Sequence, residues 1–165
     1  MARVAGQTIP RSQVTHFLRA ECLKLERLHP RSAPAHGGAT EPFPCAGQYV
    51  AALRRVMRLL ITTRWYRSEA RRLGIELTAS RLRTDLTRLQ RARFIASQLS
   101  LDQFQRRTGL SRRDLELLVE WPRLRAALAP ASGDALDASL VRRYRPQTQC
   151  ASAVRVSECG SIYRP

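Results

Sequence analysis

The sequence predicts a mainly α-helical protein with a short β piece at its start and a small β-like hairpin at its end. Three observations carry that expectation. Apolar residues recur at three-and-four spacing along most of the chain, as they do on the buried stripe of a helix. Gly, Pro and small residues gather in two places, 29–48 and 129–139, where linkers are expected. Strand-like character is confined to the two ends. At 165 residues and 44% hydrophobic content, the chain has one domain's length and enough apolar material for a real core.

The elements follow in order. "VAGQTI" (4–9) is β-prone around Gly6, and Pro10 suits a helix start. Val14, Phe17, Leu18, Cys22, Leu25 and Leu28 then trace an amphipathic helix over 11–28. "HPRSAPAHGGATEPFPC" begins a loop expected over 29–48. The longest helix is expected from Tyr49 to Leu73. Its first half places Val50, Leu53, Met57, Leu60 and Ile61 on one side, whereas Tyr66, Ala70 and Leu73 fall roughly opposite. The apolar face changes sides around Thr62-Thr63-Arg64, so the two halves should meet different partners or the helix should bend. Gly74 closes it. Thr78 caps a helix bearing Leu82, Leu86, Leu89 and Phe94. Ser100 caps a short helix, 101–107, closed by Gly109. Ser111 and Asp114 form a capping-box pattern before a helix with Leu115, Leu118 and Val119. Pro122 should kink or restart that helix. "LDASLVRRY" makes a last short helix, and "TQCASAVRVSEC" alternates like a strand. The expected organisation is a helical domain over 1–128, a linker over 129–139, and a C-terminal helix and tail over 140–165 that packs back on it.

Charge narrows the partners without choosing one. Lys and Arg total 29 against 13 acids, a formal charge of +16, and Lys24 is the only lysine. Such a surface attracts phosphate, anionic lipid or acidic protein segments, and less so in salt. Cys22, Cys45, Cys150 and Cys159 form no CxxC pair, and the three histidines lack zinc-site spacing to them, so no metal or other cofactor is expected. No window approaches the roughly 20 apolar residues of a membrane-spanning helix. "MARVAGQTIP" has no apolar h-region. As written, the chain is expected to stay in the cytoplasm; an in-frame apolar segment upstream of Met1 would change that. No nucleophile elbow, P-loop, GxGxxG or HExxH occurs. Glu69, Glu116 and Glu120 read as partners of nearby arginines on solvated helix faces, and His16 as a surface or packing residue. No catalytic constellation is expected.

"LDQFQRRTGLSRRDLELLVEW" (101–121) suggests a DNA-reading helix-turn-helix with its turn at Gly109. Gln105 stands where such motifs carry a small residue, however, and Thr108 where they carry an apolar one. Nucleic acid is therefore an alternative partner only.

Three segments together resemble the SurA N-terminal domain family, extracytoplasmic foldases whose helical domain binds unfolded chains. "VAGQTIPRSQVTHFLR" is similar to the family's opening strand-turn-helix, with Pro10 in place of its usual Ser or Thr cap. "LRRVMRLLITTRWYRSEARRLGIELTASRL" follows its long helix, Leu-Gly-Ile junction and Thr-capped helix. "LDQFQRRTGLSRRDLELLVEWPRLRAAL" follows its short helix, Gly-Leu-Ser turn and Asp-Leu-starting helix. "YRPQTQCASAVRVSECGS" resembles the closing segment of a secreted branch, which implies a Cys150–Cys159 disulfide. Whether Cys22 and Cys45 also pair stays open. The family usually carries a parvulin isomerase insert of about 90 residues, the size of a small domain. Too little chain follows Leu128 to hold one, so prolyl isomerase activity is not implied; a degenerate isomerase relative remains a second alternative.

The resemblance implies a non-catalytic, chaperone-like holdase acting outside the cytoplasm on unfolded or partly folded polypeptides. Its Arg-rich faces would also suit an anionic envelope surface. Trp65, Tyr66, Phe94, Phe104 and Trp121 are the candidate peptide-binding aromatics. Oligomeric state is not legible.

Overall fold

In a computed structural model, residues 2–28, 45–97, 101–132, 135–152, 154 and 156–163 are described. The chain opens with β1 (Ala2–Val4) and β2 (Gln7–Thr8), paired antiparallel. Ala5 and Gly6 between them both take positive φ, 47° and 80°, the twist a two-residue hairpin needs. The Pro10 carbonyl accepts the Val14 amide, which starts α1 (Arg11–Leu28) with Phe17, Leu18 and Cys22 buried.

The central element is α2 (Tyr49–Arg72). In its first half, Ala52 joins Leu18, Cys22 and Cys45 in a small apolar cluster against α1. Arg55 pairs with Glu21 at 2.8 Å on the same seam. Val50, expected on the inward side, is instead 59% exposed, because Ala52 takes the inward position in this first turn. At Thr62 and Thr63 both hydroxyls turn back onto carbonyls of the preceding turn, those of Arg58 and Leu59. Beyond them the buried set widens to Trp65, Tyr66, Glu69 and Ala70. The expected change of face is present, and its cause is packing: this half is enclosed by α5 (Arg112–Ser132), α6 (Leu136–Tyr144) and the sheet. Gly74, at φ 66°, ends the helix in a Schellman motif, with Gly74 N–H on Arg71 and Ile75 N–H on Ala70.

Thr78 accepts the Arg81 amide and caps α3 (Ala79–Ser97), which packs on α5. Helix α4 (Leu101–Thr108) packs chiefly on α1. The Ser111–Asp114 capping box forms in both directions: Ser111 N–H donates to the Asp114 carboxylate and Asp114 N–H to the Ser111 hydroxyl. Pro122 does not restart α5, which runs on through it and through Pro130. Leu117, Val119, Leu124 and Leu128 are buried on either side, and their burial outweighs the ~3 kcal/mol that an internal proline costs. Most of the linker expected over 129–139 is accordingly helical, taken up by the end of α5 and the start of α6. Residues 29–44 of the expected loop and the Ser100 cap lie outside the described residues.

After a 3-10 turn at 145–147, β3 (Thr148–Ala151) pairs antiparallel with β1, Ala2 opposite Cys150 and Val4 opposite Thr148. A loop returns the chain to β4 (Ser161–Tyr163), which lies on the far side of β3 and completes the order β2-β1-β3-β4. The two C-terminal strands run parallel, and the Cys150–Cys159 disulfide spans the loop between them. Val154 and Val156, expected within a strand, belong to that loop and turn toward the core.

Thr148 joins three elements. Its hydroxyl donates to the Tyr144 carbonyl at the end of α6 and accepts the Trp65 indole N–H at 2.9 Å, all of it buried. Thr148→Val should leave two buried polar groups unpaired and lower stability by about 2–3 kcal/mol; urea denaturation followed by tryptophan fluorescence measures it.

Candidate functional site

The aromatic candidates divide by burial. Trp65 and Tyr66 are 2% and 3% exposed and are core residues, not walls of a peptide groove. Each one's polar end is bonded to another element, Trp65 to Thr148 of β3 and Tyr66 to Asp137 of α6. Trp121 is half-buried and meets Tyr66 edge-on, ring centroids 6.2 Å apart. Phe104 on α4 is also half-buried. The Phe94 side chain lies outside the described residues. The four that are described divide between core and partly buried positions.

Carboxylates act as internal anchors. Glu69, expected on a solvated face, is 3% exposed. It receives Arg72 at 2.8 Å, Arg143 at 3.4 Å and the Tyr144 hydroxyl at 2.9 Å, so α2 and α6 meet on it. The Arg72 guanidinium, foremost, holds its carboxyl below the ordinary value of 4.5, while burial and Glu69 push the Tyr144 phenol up to about 12. Glu120 likewise leaves the solvated-face role, because Arg67 of α2 reaches across to grip it at both oxygens. Glu116 keeps an expected within-helix partner, Arg112, as Glu69 does with Arg72. Arg123 clamps Asp85 through two 2.6 Å bonds and ties α5 to α3. Among the described residues, no three His, Cys, Asp or Glu side chains converge as metal ligands would.

The residues around Gly109 build a turn that packs inward. Thr108 is fully buried, donating to the Phe104 carbonyl and accepting the Leu110 amide; Gln105 donates to the Leu110 carbonyl. The two polar residues that spoil a helix-turn-helix pattern are thus the ones that make this turn. Gly109 has φ 72°, and a Cβ there would lie 3.1 Å from the His16 ring. His16 and Gln13 of α1 both bond Asp114 at 3.2 Å, covering the start of α5.

A cavity of about 630 Å³ opens between α2 and the C-terminal loop. Arg54, Arg58 and Arg145 line it, together with Val156, Ser161 and Ile162. The loop is closed by the Cys150–Cys159 disulfide, whose Cα atoms are 5.8 Å apart. Cys22 and Cys45 are also disulfide-bonded, joining α1 to the entrance of α2. The arginine cavity escaped the sequence reading. Its one signal was Arg54 and Arg58 at i,i+4, like charges on one helix face that repel unless something negative relieves them.

Fold and site together define a class: a mainly helical, arginine-rich module with both ends stitched into one sheet by a disulfide-closed loop. No protein-family model, curated protein or solved structure matches the chain. Among the described residues, no helix is long and apolar enough to cross a membrane.

Two measurements check these features. Alkylation with iodoacetamide under denaturing conditions should label no cysteine without reductant and all four after it, read by intact mass. Cys150→Ser with Cys159→Ser should cost about 2–3 kcal/mol for so short a loop. For the carboxylates the sign follows from their lowered folded-state values: Glu69, Asp85 and Asp114 all lie below their ordinary range. Their contribution is complete above the unfolded-state values of 4.5 and 3.8 and is lost as pH falls through the lower folded ones. Melting temperature should therefore drop as the solution is acidified below about pH 4.5, with a shallower slope in Glu69→Gln.

Proposed function

We propose that this chain is a non-catalytic, chaperone-like module that holds unfolded or partly folded polypeptide in an oxidising, extracytoplasmic compartment. One observation carries the reading. The opening Val-x-Gly-x-x-Ile segment and the closing Thr-x-Cys segment, which carry the two ends of the resemblance to the SurA N-terminal domain family, meet where Val4, the last residue of β1, pairs with Thr148, the first of β3. The helices between them run in the order the resemblance implies, with α5 ending at Ser132 and α6 starting at Leu136. Two disulfides support a compartment where such bonds persist.

A holdase needs apolar surface for many sequences and a charged rim that keeps it soluble. Here the half-buried Phe104 and Trp121 supply the first, and the arginine surplus supplies the second and draws in acidic segments. The arrangement around Gly109 weighs against the DNA alternative: α4 leans on α1 more than on α5, and the start of α5 is covered by Gln13 and His16.

Light scattering from a denatured client diluted into buffer tests the reading. Protection should rise with protein concentration and be stronger at low salt for an acidic client. Absence of protection at equimolar or excess protein removes the proposal. Prolyl cis/trans exchange in a model peptide should not be accelerated.

A further inference from the structure

We propose that the arginine cavity between α2 and the disulfide-closed loop binds the acidic side chains of an extended polypeptide, with aliphatic neighbours of those acids seated on Ile162. The inference rests on the holdase reading and specifies which client segments are held.

The three guanidinium groups are not equivalent. Arg58 is engaged, pairing with Glu158 at 3.4 Å and donating to the Ser157 hydroxyl at 3.2 Å. Arg145 uses its Nε on the Cys159 carbonyl, at 3.4 Å, and meets no carboxylate among the described residues. Arg54 likewise pairs with no carboxylate among the described residues. Among those residues, two planar forks therefore line one cavity without a carboxylate partner of their own, whereas Asp85, Glu69 and Glu120 each hold an arginine elsewhere. A carboxylate entering between them gains charge-assisted, bidentate bonds and relieves their repulsion.

The rest of the wall selects the kind of anion. At about 630 Å³ the cavity is in the range of sites for molecules much larger than a bare oxyanion. Ile162 offers apolar contact and is 46% exposed. Glu158 neutralises one arginine and stands against a continuous polyphosphate backbone. Isolated acids spaced by aliphatic residues fit this mixture; a nucleic-acid strand does not.

The geometry depends on Gly160. A Cβ at that position would lie 2.0 Å from the Arg145 carbonyl oxygen, so only glycine lets the loop close against Arg145. Gly160→Ala changes the cavity without changing its charge, which separates shape from electrostatics.

Fluorescence anisotropy of a rhodamine-labelled peptide of alternating Glu and Val tests the proposal, with its Gln and Val counterpart as control. Melting curves confirm that each variant is folded. The Glu–Val peptide should bind with an affinity that falls with salt, and the Gln–Val peptide should bind far more weakly. Arg54→Gln and Arg145→Gln should each weaken binding by about tenfold, Gly160→Ala should weaken it too, and Arg106→Gln on α4 should not. Equal binding of the two peptides, or equal effects of the cavity variants and Arg106→Gln, overturns the proposal. Inorganic phosphate or a single-stranded oligonucleotide competing at lower concentration than the unlabelled Glu–Val peptide overturns it in favour of a phosphate ligand. If client protection persists while the Glu–Val peptide fails to bind, the cavity assignment falls and the holdase reading stands. If the peptide binds but no client is protected, the reverse holds.

Discussion

Everything in this molecule is arranged around the indole of Trp65 and the hydroxyl of Thr148. The tryptophan brings the middle of α2 to the start of β3, and the threonine passes the connection to the last carbonyl of α6. A single buried hydroxyl, used once as acceptor and once as donor, therefore fixes the helical body, the final helix and the sheet relative to one another. Hydrophobic contact alone is tolerant of sliding, because burial is roughly proportional to area and indifferent to direction. Directional bonds at this joint remove that freedom. Tyr66 to Asp137 and Glu69 to Tyr144 repeat the theme on the same side of α2 and join it to α6 at further points.

An arginine surplus of this size works against a compact state, since net charge far from zero is self-repelling. The acids are few but well placed. Asp85, Glu69 and Glu120 each sit between helices and each hold a guanidinium from another part of the chain or from the next turn. Asp137 combines Tyr66 with Arg125. Placed at seams, a small number of carboxylates neutralises charge where helices approach most closely, and the unbalanced arginines are left outside. What sets Arg54 and Arg145 apart from the other surplus arginines is that both line one cavity.

Much of the architecture was legible because it is local. Helix boundaries at Arg11, Tyr49 and Ala79, the Gly74 closure, the Thr78 cap and the Ser111–Asp114 box are set by residues within a turn of one another, and sequence displays those relations directly. What was not legible depends on residues far apart. Trp65 and Tyr66 fall on the second face of a helix, but the partners that cover them, β3 and α6, lie far away in the sequence. Pro122 looks like a break until its flanking leucines are seen to be buried on both sides. Alternation at Val154 and Val156 looks like strand until the Cys150–Cys159 bond closes the loop that contains them. The arginine cavity is assembled from α2, the turn before β3 and the last loop, and no window of sequence contains all three.

The pairing of β1 with β3 also has a consequence in time. Ala2 finds its partner Cys150 only after the entire helical body has been made. During synthesis, or threading through a membrane pore, the first strand must wait unpaired while α1 and α2 already have local reasons to form. Assembly of the sheet is then the closing event, and the Cys150–Cys159 bond locks a structure that the rest of the chain has already prepared. A nascent form lacking its last twenty or so residues would hold its helices loosely and present β1 as an open edge. In a protein read as a carrier of unfinished chains, the last step of its own maturation is the removal of just such an edge.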